Sequence, residues 1–251
     1  MLSKAQIKFV KSLQLKKYRQ EYCQFVAETP KLIKEMLNSD FVVNKIYANE
    51  NYIDSSAALI RKISEDKIHI VSGKELSQIS GLKSPQEVLA VVSIPESNIE
   101  TSELKGKYSL VLDNISDPGN LGTIIRTADW FGIENIICSN DCVDLYNPKV
   151  IQSTMGSFSR VNVCYCDLEQ FFCGKLDLPV YACVLDGQSI YKTDFKSEGL
   201  LLLGNEANGI RKETLSYGAY PITIPNRGRG ESLNVAITAG IICSEISKSN
   251  F

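Results

Sequence analysis

The rhythm of apolar and polar residues changes partway along the chain. In the first ninety or so residues, short apolar runs alternate with helical stripes. Phe25 and Val26 read as a short strand. Leu32, Ile33, Met36 and Leu37 recur at helical spacing, with Thr29 placed as a cap and Pro30 at the first helical position. VVNKIYANE, IHIVS and VLAVVSIP predict strands, and SSAALIRKISE and KELSQIS predict helices. Residues 1–20 carry Lys4, Lys8, Lys11, Lys16, Lys17 and Arg19 with no acid, and read as a basic helix. These elements predict a small α/β domain over residues 1–95.

PESNIETSELKGK loses apolar residues and gathers Ser, Glu and Lys, which marks a linker over residues 96–107. From residue 108 to 251 the pattern is a cleaner alternation of strand and helix. YSLVLDN, ENIICSND, VYACVLDG, GLLLLGNE and YPITIP predict strands. NLGTIIRTADWFG, PKVIQSTMGSFSR and SLNVAITAGIICSEIS predict helices, with Trp130 among apolar helix positions and read as core. Strands rich in Val, Ile and Leu, separated by helices, argue a parallel sheet covered on both faces.

Composition narrows the function classes. The chain has 251 residues, 44% of them hydrophobic, enough to bury a core, and its formal charge of −2 argues against non-specific coating of nucleic acid. No apolar run approaches the ~18 residues of a membrane span, and no signal peptide is read, so a cytoplasmic protein is expected. The eight cysteines form no CxxC, and His69 is the single histidine, so buried free thiols are expected rather than a metal site. There is no GxGxxG, no P-loop and no GxSxG, which disfavours dinucleotide, P-loop and serine-triad chemistry.

In a parallel α/β sheet, ligands bind beyond the carboxyl ends of the strands. Three predicted strands end in polar, glycine-rich loops: Asn114 and then SDPGNLGTIIRT; Asn205 and Glu206; and NRGRGE running into Ser232, Leu233 and Asn234. Asn120 is placed to cap the helix that follows Pro118-Gly119. On that helix Thr123, Arg126 and Asp129 share one side while Ile124, Ile125 and Ala128 face the sheet, so Arg126 is spaced either to meet a ligand or to pair with Asp129. Ser232 is placed either as a helix cap or at the mouth of a pocket.

NISDPGNLGTIIRTADWFGI, LLLGNEANGI and ITIPNRGRGESLNVAITAGI, in this order, resemble the three motifs of the SpoU (TrmH-type) RNA ribose 2′-O-methyltransferases of the SPOUT superfamily. SPQEVLAVVS resembles the strand that precedes the family's linker. The chain departs from the family pattern at Thr29, Glu87, Ala207, Asn226 and Gly230.

The resemblance implies a C-terminal SPOUT-type parallel sheet with a deep trefoil knot, and an N-terminal ribosomal-protein-like domain that binds the RNA substrate. It implies S-adenosylmethionine as cofactor, against Gly204, Ile224, Pro225, Ser232 and Leu233, and a homodimer. Catalytic roles fall to Asn114, Arg126, Glu206, Ser232 and Asn234, with Glu206 a natural acceptor for an arginine fork. Arg160, Arg227, Arg229 and the N-terminal lysines are the expected contacts to RNA phosphate. Ribosomal RNA is the expected substrate, with transfer RNA, or binding without turnover, as the alternatives.

Overall fold

The computed structural model describes residues 1–174 and 177–248. The chain forms two compact units: residues Met1–Glu96 with Tyr146–Ser159, and residues Ser97–Leu145 with Arg160 onward.

The first unit opens with a helical pair rather than the single helix expected over residues 1–20. Helix α1 (Lys4–Ser12) starts in a capping box of Ser3 and Gln6, and α2 (Lys16–Tyr22) follows after a break at Leu13–Leu15. Arg19 explains the break. It is buried, and its guanidinium donates to Leu13 O (3.0 Å) and Gln14 O (2.9 Å), taking the carbonyls that a continuous helix would have used. Then come β1 (Gln24–Glu28), α3 (Pro30–Leu37), β2 (Val43–Ala48), short helices α4 (Glu50–Ser55) and α5 (Ala57–Ile60), β3 (Ile68–Ile70), α6 (Gly73–Ile79) and β4 (Val88–Ser93). The helix expected in SSAALIRKISE therefore shrinks to α5, with Ser56 ending α4 just before it. Thr29 caps α3 as expected, accepting from Leu32 N at 3.4 Å, but at a φ of 103° that is costly for a β-branched residue.

The sheet order is β1-β4-β2-β3, antiparallel except for the β2–β3 pair. Val10, Leu13, Val26, Tyr47, Ile79 and Leu89 fill one side of its core. His69 stacks on Tyr47 with ring centroids 5.1 Å apart. Helix α8 (Pro148–Thr154), although it lies late in the chain, belongs to this unit: Phe25 meets Tyr146 at 4.6 Å and Phe158 at 6.0 Å.

The second unit is built on β5 (Tyr108–Asp113), α7 (Pro118–Trp130), β6 (Asn135–Ser139), β7 (Asn162–Cys166), α9 (Leu168–Cys173), β8 (Val180–Ser189), β9 (Gly199–Gly204), α10 (Lys212–Leu215), β10 (Tyr220–Thr223) and α11 (Val235–Ser247). Its six strands are all parallel, in the order β10-β8-β9-β5-β6-β7. The parallel sheet expected from the Val/Ile/Leu runs is thus present. From β5 the chain builds outward to β6 and β7, then returns to lay β9 against the other edge of β5, so the strand order reverses at β5 and β9. In open α/β sheets, ligands bind beyond the carboxyl ends of the strands at such a reversal. Ile124, Ile125 and Ala128 of α7 face inward as expected, joined by buried Leu121. Trp130 does not: at the end of α7 it is 81% exposed. Among the described residues, no helix is long and apolar enough to cross a membrane.

Candidate active site at the strand ends

At the end of β5 the chain turns sharply through Asn114, whose φ of 58° is left-handed, a conformation asparagine tolerates better than most residues. Two contacts hold it. Asn114 N donates to Ser139 Oγ (2.8 Å), and its carbonyl accepts from Asn205 Nδ2 (2.8 Å). The next amide, Ile115 N, donates to Cys142 Sγ at 3.2 Å. A hydrogen bond with Cys138 draws the Cys142 thiol below its ordinary pKa, against the opposing effect of burial, and Ser139 and the Ile115 amide add to the lowering.

Directly behind Asn114 lies Asp113, with 0% exposure. A charge so placed needs partners, and it has three. Arg211 Nη2 meets Oδ1 at 2.5 Å, while Arg211 N (2.9 Å) and Thr214 Oγ1 (3.0 Å) donate to Oδ2. The bond to Asp113 raises the Arg211 pKa. Arg211 Nη1 also reaches Asp141 at 3.3 Å, and Asp141 in turn accepts from Ser139 Oγ at 2.5 Å. A closed ring of bonds therefore backs the Asn114 turn.

Helix α7 begins one residue after Asp117, whose carboxylate accepts from Asn120 N at 2.8 Å. Asp117, not Asn120, is the cap. Asn120 is left free to act at long range: its Nδ2 donates to Glu206 Oε1 (2.7 Å), and its Oδ1 accepts from Asn234 Nδ2 (2.9 Å). One side chain thus ties together the three loops singled out in the sequence. Asn120 was not among the expected catalytic residues; its place one turn into a strand-end helix was the available signal.

At the end of β9, Gly204 sits so close to the returning chain that an added Cβ would lie 2.3 Å from Gly209 C. Asn205 folds that turn, its Oδ1 accepting from Ala207 N (2.9 Å) and Asn208 N (3.1 Å). Its Nδ2 also lies 3.4 Å from Glu206 Oε2, so amides from two segments orient the Glu206 carboxylate.

After β10 the chain passes half-buried Ile224 and exposed Pro225 into the basic loop. Asn226 staples this loop: Nδ2 donates to Gly230 O (2.6 Å) and Oδ1 accepts from Gly228 N (2.7 Å). Asn234 caps α11 through Ala236 N (2.9 Å) and Ile237 N (3.3 Å). Ser232 is therefore not the cap. It is exposed beside Leu233, itself 50% exposed.

Glu206 and Asn234 are joined through Asn120, and Asn114 through Asn205. Arg126 stands apart from this network. The Arg126–Asp129 pair does not form, because Arg160 takes Asp129 through Nε (3.1 Å) and Nη2 (2.8 Å). Nor does Glu206 receive an arginine fork. Arg126 is exposed on α7 with no hydrogen bond or ion pair among the described residues. Among the described residues, no group of three or more His, Cys, Asp or Glu side chains is placed to hold a metal ion.

A parallel sheet whose strand order reverses beside three polar loops, tied at the Asn120 amide, has the arrangement of an α/β domain with a strand-end site. Residues 107–244 match the SpoU rRNA methylase family, and residues 4–90 match an MRM3-like substrate binding domain. The chain belongs to the SpoU rRNA methylase family. It is 30% identical over 240 residues to the 23S rRNA (guanosine(2553)-2′-O)-methyltransferase RlmP of Bacillus subtilis (strain 168), covering 94% of this chain and 93% of that one. An AdoMet-bound rRNA methyltransferase from Sinorhizobium meliloti superposes with a TM-score of 0.88 at 30% identity, over 100% of this chain and 97% of that one. A TrmH-family protein from Porphyromonas gingivalis gives 0.84 at 35% identity, with 98% of each chain covered.

Proposed function

We propose that the protein transfers a methyl group from S-adenosylmethionine to a ribose 2′-hydroxyl of ribosomal RNA. The observation that carries this reading is the Asn120 bridge, which draws Glu206 and Asn234 into one site with bonds of 2.7 and 2.9 Å. The match to an rRNA ribose methylase across both units favours ribosomal over transfer RNA.

The residues present suit the cofactor. Gly204 ends β9 with no side chain, half-exposed Leu233 and half-buried Ile224 are apolar side chains suited to adenine, and the Asn226 staple preshapes the loop between them in the chain. Pro225 and Ser232 border the same segment. When bound, S-adenosylmethionine supplies a methyl group that is already electrophilic on its sulfonium.

The chain's own task is to place and activate a poor nucleophile. Glu206, fixed by two amides, is assigned to accept from the incoming hydroxyl, and Ser232 to hold the ribose at the mouth. A guanidinium has no lone pair to offer as a general base, so Arg126 is not assigned as one. Its free guanidinium is assigned to gripping an RNA phosphate or lowering the hydroxyl's pKa. Asn114 shapes the site from behind through Asn205, and Asn234 through Asn120. The first unit is assigned to RNA binding, with Arg227 and Arg229 as further phosphate contacts.

The reading includes the family's deep trefoil knot, a cytoplasmic location and a homodimer. Trp130 and Ile237 (55% exposed), on the mutually packed helices α7 and α11, are large apolar side chains left open for a second copy.

The test is incubation of unmodified ribosomal RNA with radiolabelled S-adenosylmethionine. Arg126→Ala should abolish transfer while cofactor affinity, measured by calorimetry, stays within about twofold. Unchanged transfer would refute the role of Arg126. Cofactor binding with no transfer by the wild type on any RNA would leave a binding protein in place of an enzyme.

A further inference from the structure

The segment that carries Glu206 leaves β9 and returns in a tight loop. Asn205 N donates to Gly209 O and Gly209 N donates to Asn205 O, both at 2.9 Å, so residues 205–209 close on themselves. Gly209 completes the turn at a φ of 69°, which its missing side chain permits. The sheet fixes one end of this loop, where Gly204 lies opposite Asp113 in the β5–β9 register. The other end is Ile210 and Arg211. Ile210 is buried in the apolar core that holds Leu200 and Leu202. Apolar burial is non-directional, so it sets the depth of the returning chain but not the angle of the loop.

Arg211 supplies the direction. Its main chain and its guanidinium grip the same carboxylate: Arg211 N donates to Asp113 Oδ2 (2.9 Å) and Nη2 meets Oδ1 (2.5 Å). Two bonds from one residue to a fully buried group leave little freedom to pivot. Nη1 then extends to Asp141 at 3.3 Å. Asp141 accepts from Ser139 Oγ, which itself accepts from Asn114 N at 2.8 Å. Arg211 therefore ties the Glu206 loop to the ends of both β5 and β6. A buried ion pair is often no more stable than apolar residues of the same volume. Its distinction is a fixed geometry, and here that geometry falls one residue before Asn114 and five residues after Glu206.

We propose that Arg211 is a positioning residue for methyl transfer. Clamped to Asp113 and Asp141, it holds the 205–209 loop so that Glu206 Oε1 meets Asn120 Nδ2 at 2.7 Å. The inference rests on the reading of Glu206 as the group that accepts from the 2′-hydroxyl. Arg211 acts through Glu206 and not on RNA, since both of its Nη atoms are turned to carboxylates.

The test compares the full-length wild type with Arg211→Met, Arg211→Lys and the double variant D113N/R211M. Single-turnover transfer at saturating ribosomal RNA and S-adenosylmethionine gives the rate, and urea titration gives the unfolding midpoint. Arg211→Met leaves a buried charge without its cation, so midpoint and rate should both fall. D113N/R211M removes that charge and should recover most of the midpoint, while the rate stays about a hundredfold below wild type. Arg211→Lys keeps a cation at Asp113 but cannot fork to Asp141, and its rate should fall about tenfold. KM for RNA and the calorimetric affinity for S-adenosylmethionine should stay within about twofold in all three. In a Glu206→Gln background, D113N/R211M should cost less than about threefold further, because its effect passes through Glu206.

Recovery of rate together with midpoint in D113N/R211M would reduce the pair to a structural role and overturn the inference. A raised KM for RNA at an unchanged rate, with a weaker salt dependence, would make Arg211 a phosphate contact and also overturn it. The full loss of about a hundredfold in the Glu206→Gln background would show that Arg211 does not act through Glu206. Glu206→Gln at the wild-type rate would instead remove the role of Glu206, and this inference with it.

Discussion

Asn120 is the most informative position to perturb, because its one amide does two jobs for partners 86 and 114 residues away. Asn120→Ala removes both hydrogen bonds. Each is worth about 0.5–1.5 kcal/mol net, and partners at an exposed site rehydrate, so the loss should be about 1–2 kcal/mol. For a unit of this size that lowers the midpoint of thermal unfolding by about 3–8 °C. The effect on rate should be larger. Glu206 loses its short, charge-assisted donor and Asn234 its acceptor, and a loosening of about 1 Å at a reacting group costs about a hundredfold.

Asn120→Asp separates this account from simple loss of packing. It keeps the acceptor for Asn234 but replaces the donor to Glu206 with a second carboxylate. Like charges about 4 Å apart cost about 1 kcal/mol in a water-like medium and about 4 kcal/mol where screening is partial. N120D should therefore be less stable and slower than N120A at neutral pH. Two adjacent carboxylates raise the pKa of one of them, and the shared proton restores a donor between them. The gap between N120D and N120A should narrow as pH falls towards about 5. Scanning calorimetry and single-turnover methyl transfer across pH measure both effects. N120D at or above N120A at neutral pH would refute the assigned geometry.

Other positions give independent checks. Arg211→Met leaves buried Asp113 with only Arg211 N and Thr214 as partners and should cost about 3 kcal/mol, read as a lower urea midpoint; a change below about 1 kcal/mol would mean that the ion pair is not needed. Thr29→Gly relieves a φ of 103° but loses a weak cap bond, for a net gain of about 0.5–1 kcal/mol in chemical denaturation; no gain would deny the strain. Glu75, held by the Ser72 and Leu2 amides and the Ser72 hydroxyl, has its pKa lowered from 4.5 to about 2. Because the folded value is depressed, its stabilisation is complete above about 4.5 and is lost as pH falls towards 2. Glu75→Gln should therefore be less stable than wild type at neutral pH and equal to it near the acid end. Superimposable pH–stability curves would exclude the linkage.

The parallel sheet was legible because its central strands are nearly continuous Val/Ile/Leu runs, as burial on both faces requires. Strand β7 was not read, since NVCYC at a sheet edge mixes half-buried Asn162, Tyr165 and Cys166 into a run of five. Trp130 was read as core because its neighbours are apolar, but helix phase and the end of α7 set its exposure. The three site loops were visible as polar, glycine-rich strand ends. What joins them was not. The Asn120, Asn205 and Arg211 bonds cross between distant segments, and no local pattern encodes a partner a hundred positions away. The lysines of residues 1–20 were visible, but the buried Arg19 that divides them between two helices was not.

The first unit takes its fourteen final residues from beyond β6, and this has a consequence for how the protein can be made. A growing chain exposes Phe25 and Phe41 early, while Phe158, which packs at 6.0 and 5.5 Å from them, is translated well over a hundred residues later. At about 5–20 residues per second the nascent unit waits on the order of ten seconds for its own closing piece. Its aromatic cluster must stay unsatisfied, or be sheltered by chaperones, through that interval. A fragment cut at Glu96 would carry the same open cluster permanently, so an autonomous version of this unit has to be assembled by grafting Tyr146–Ser159 back onto it rather than by truncation.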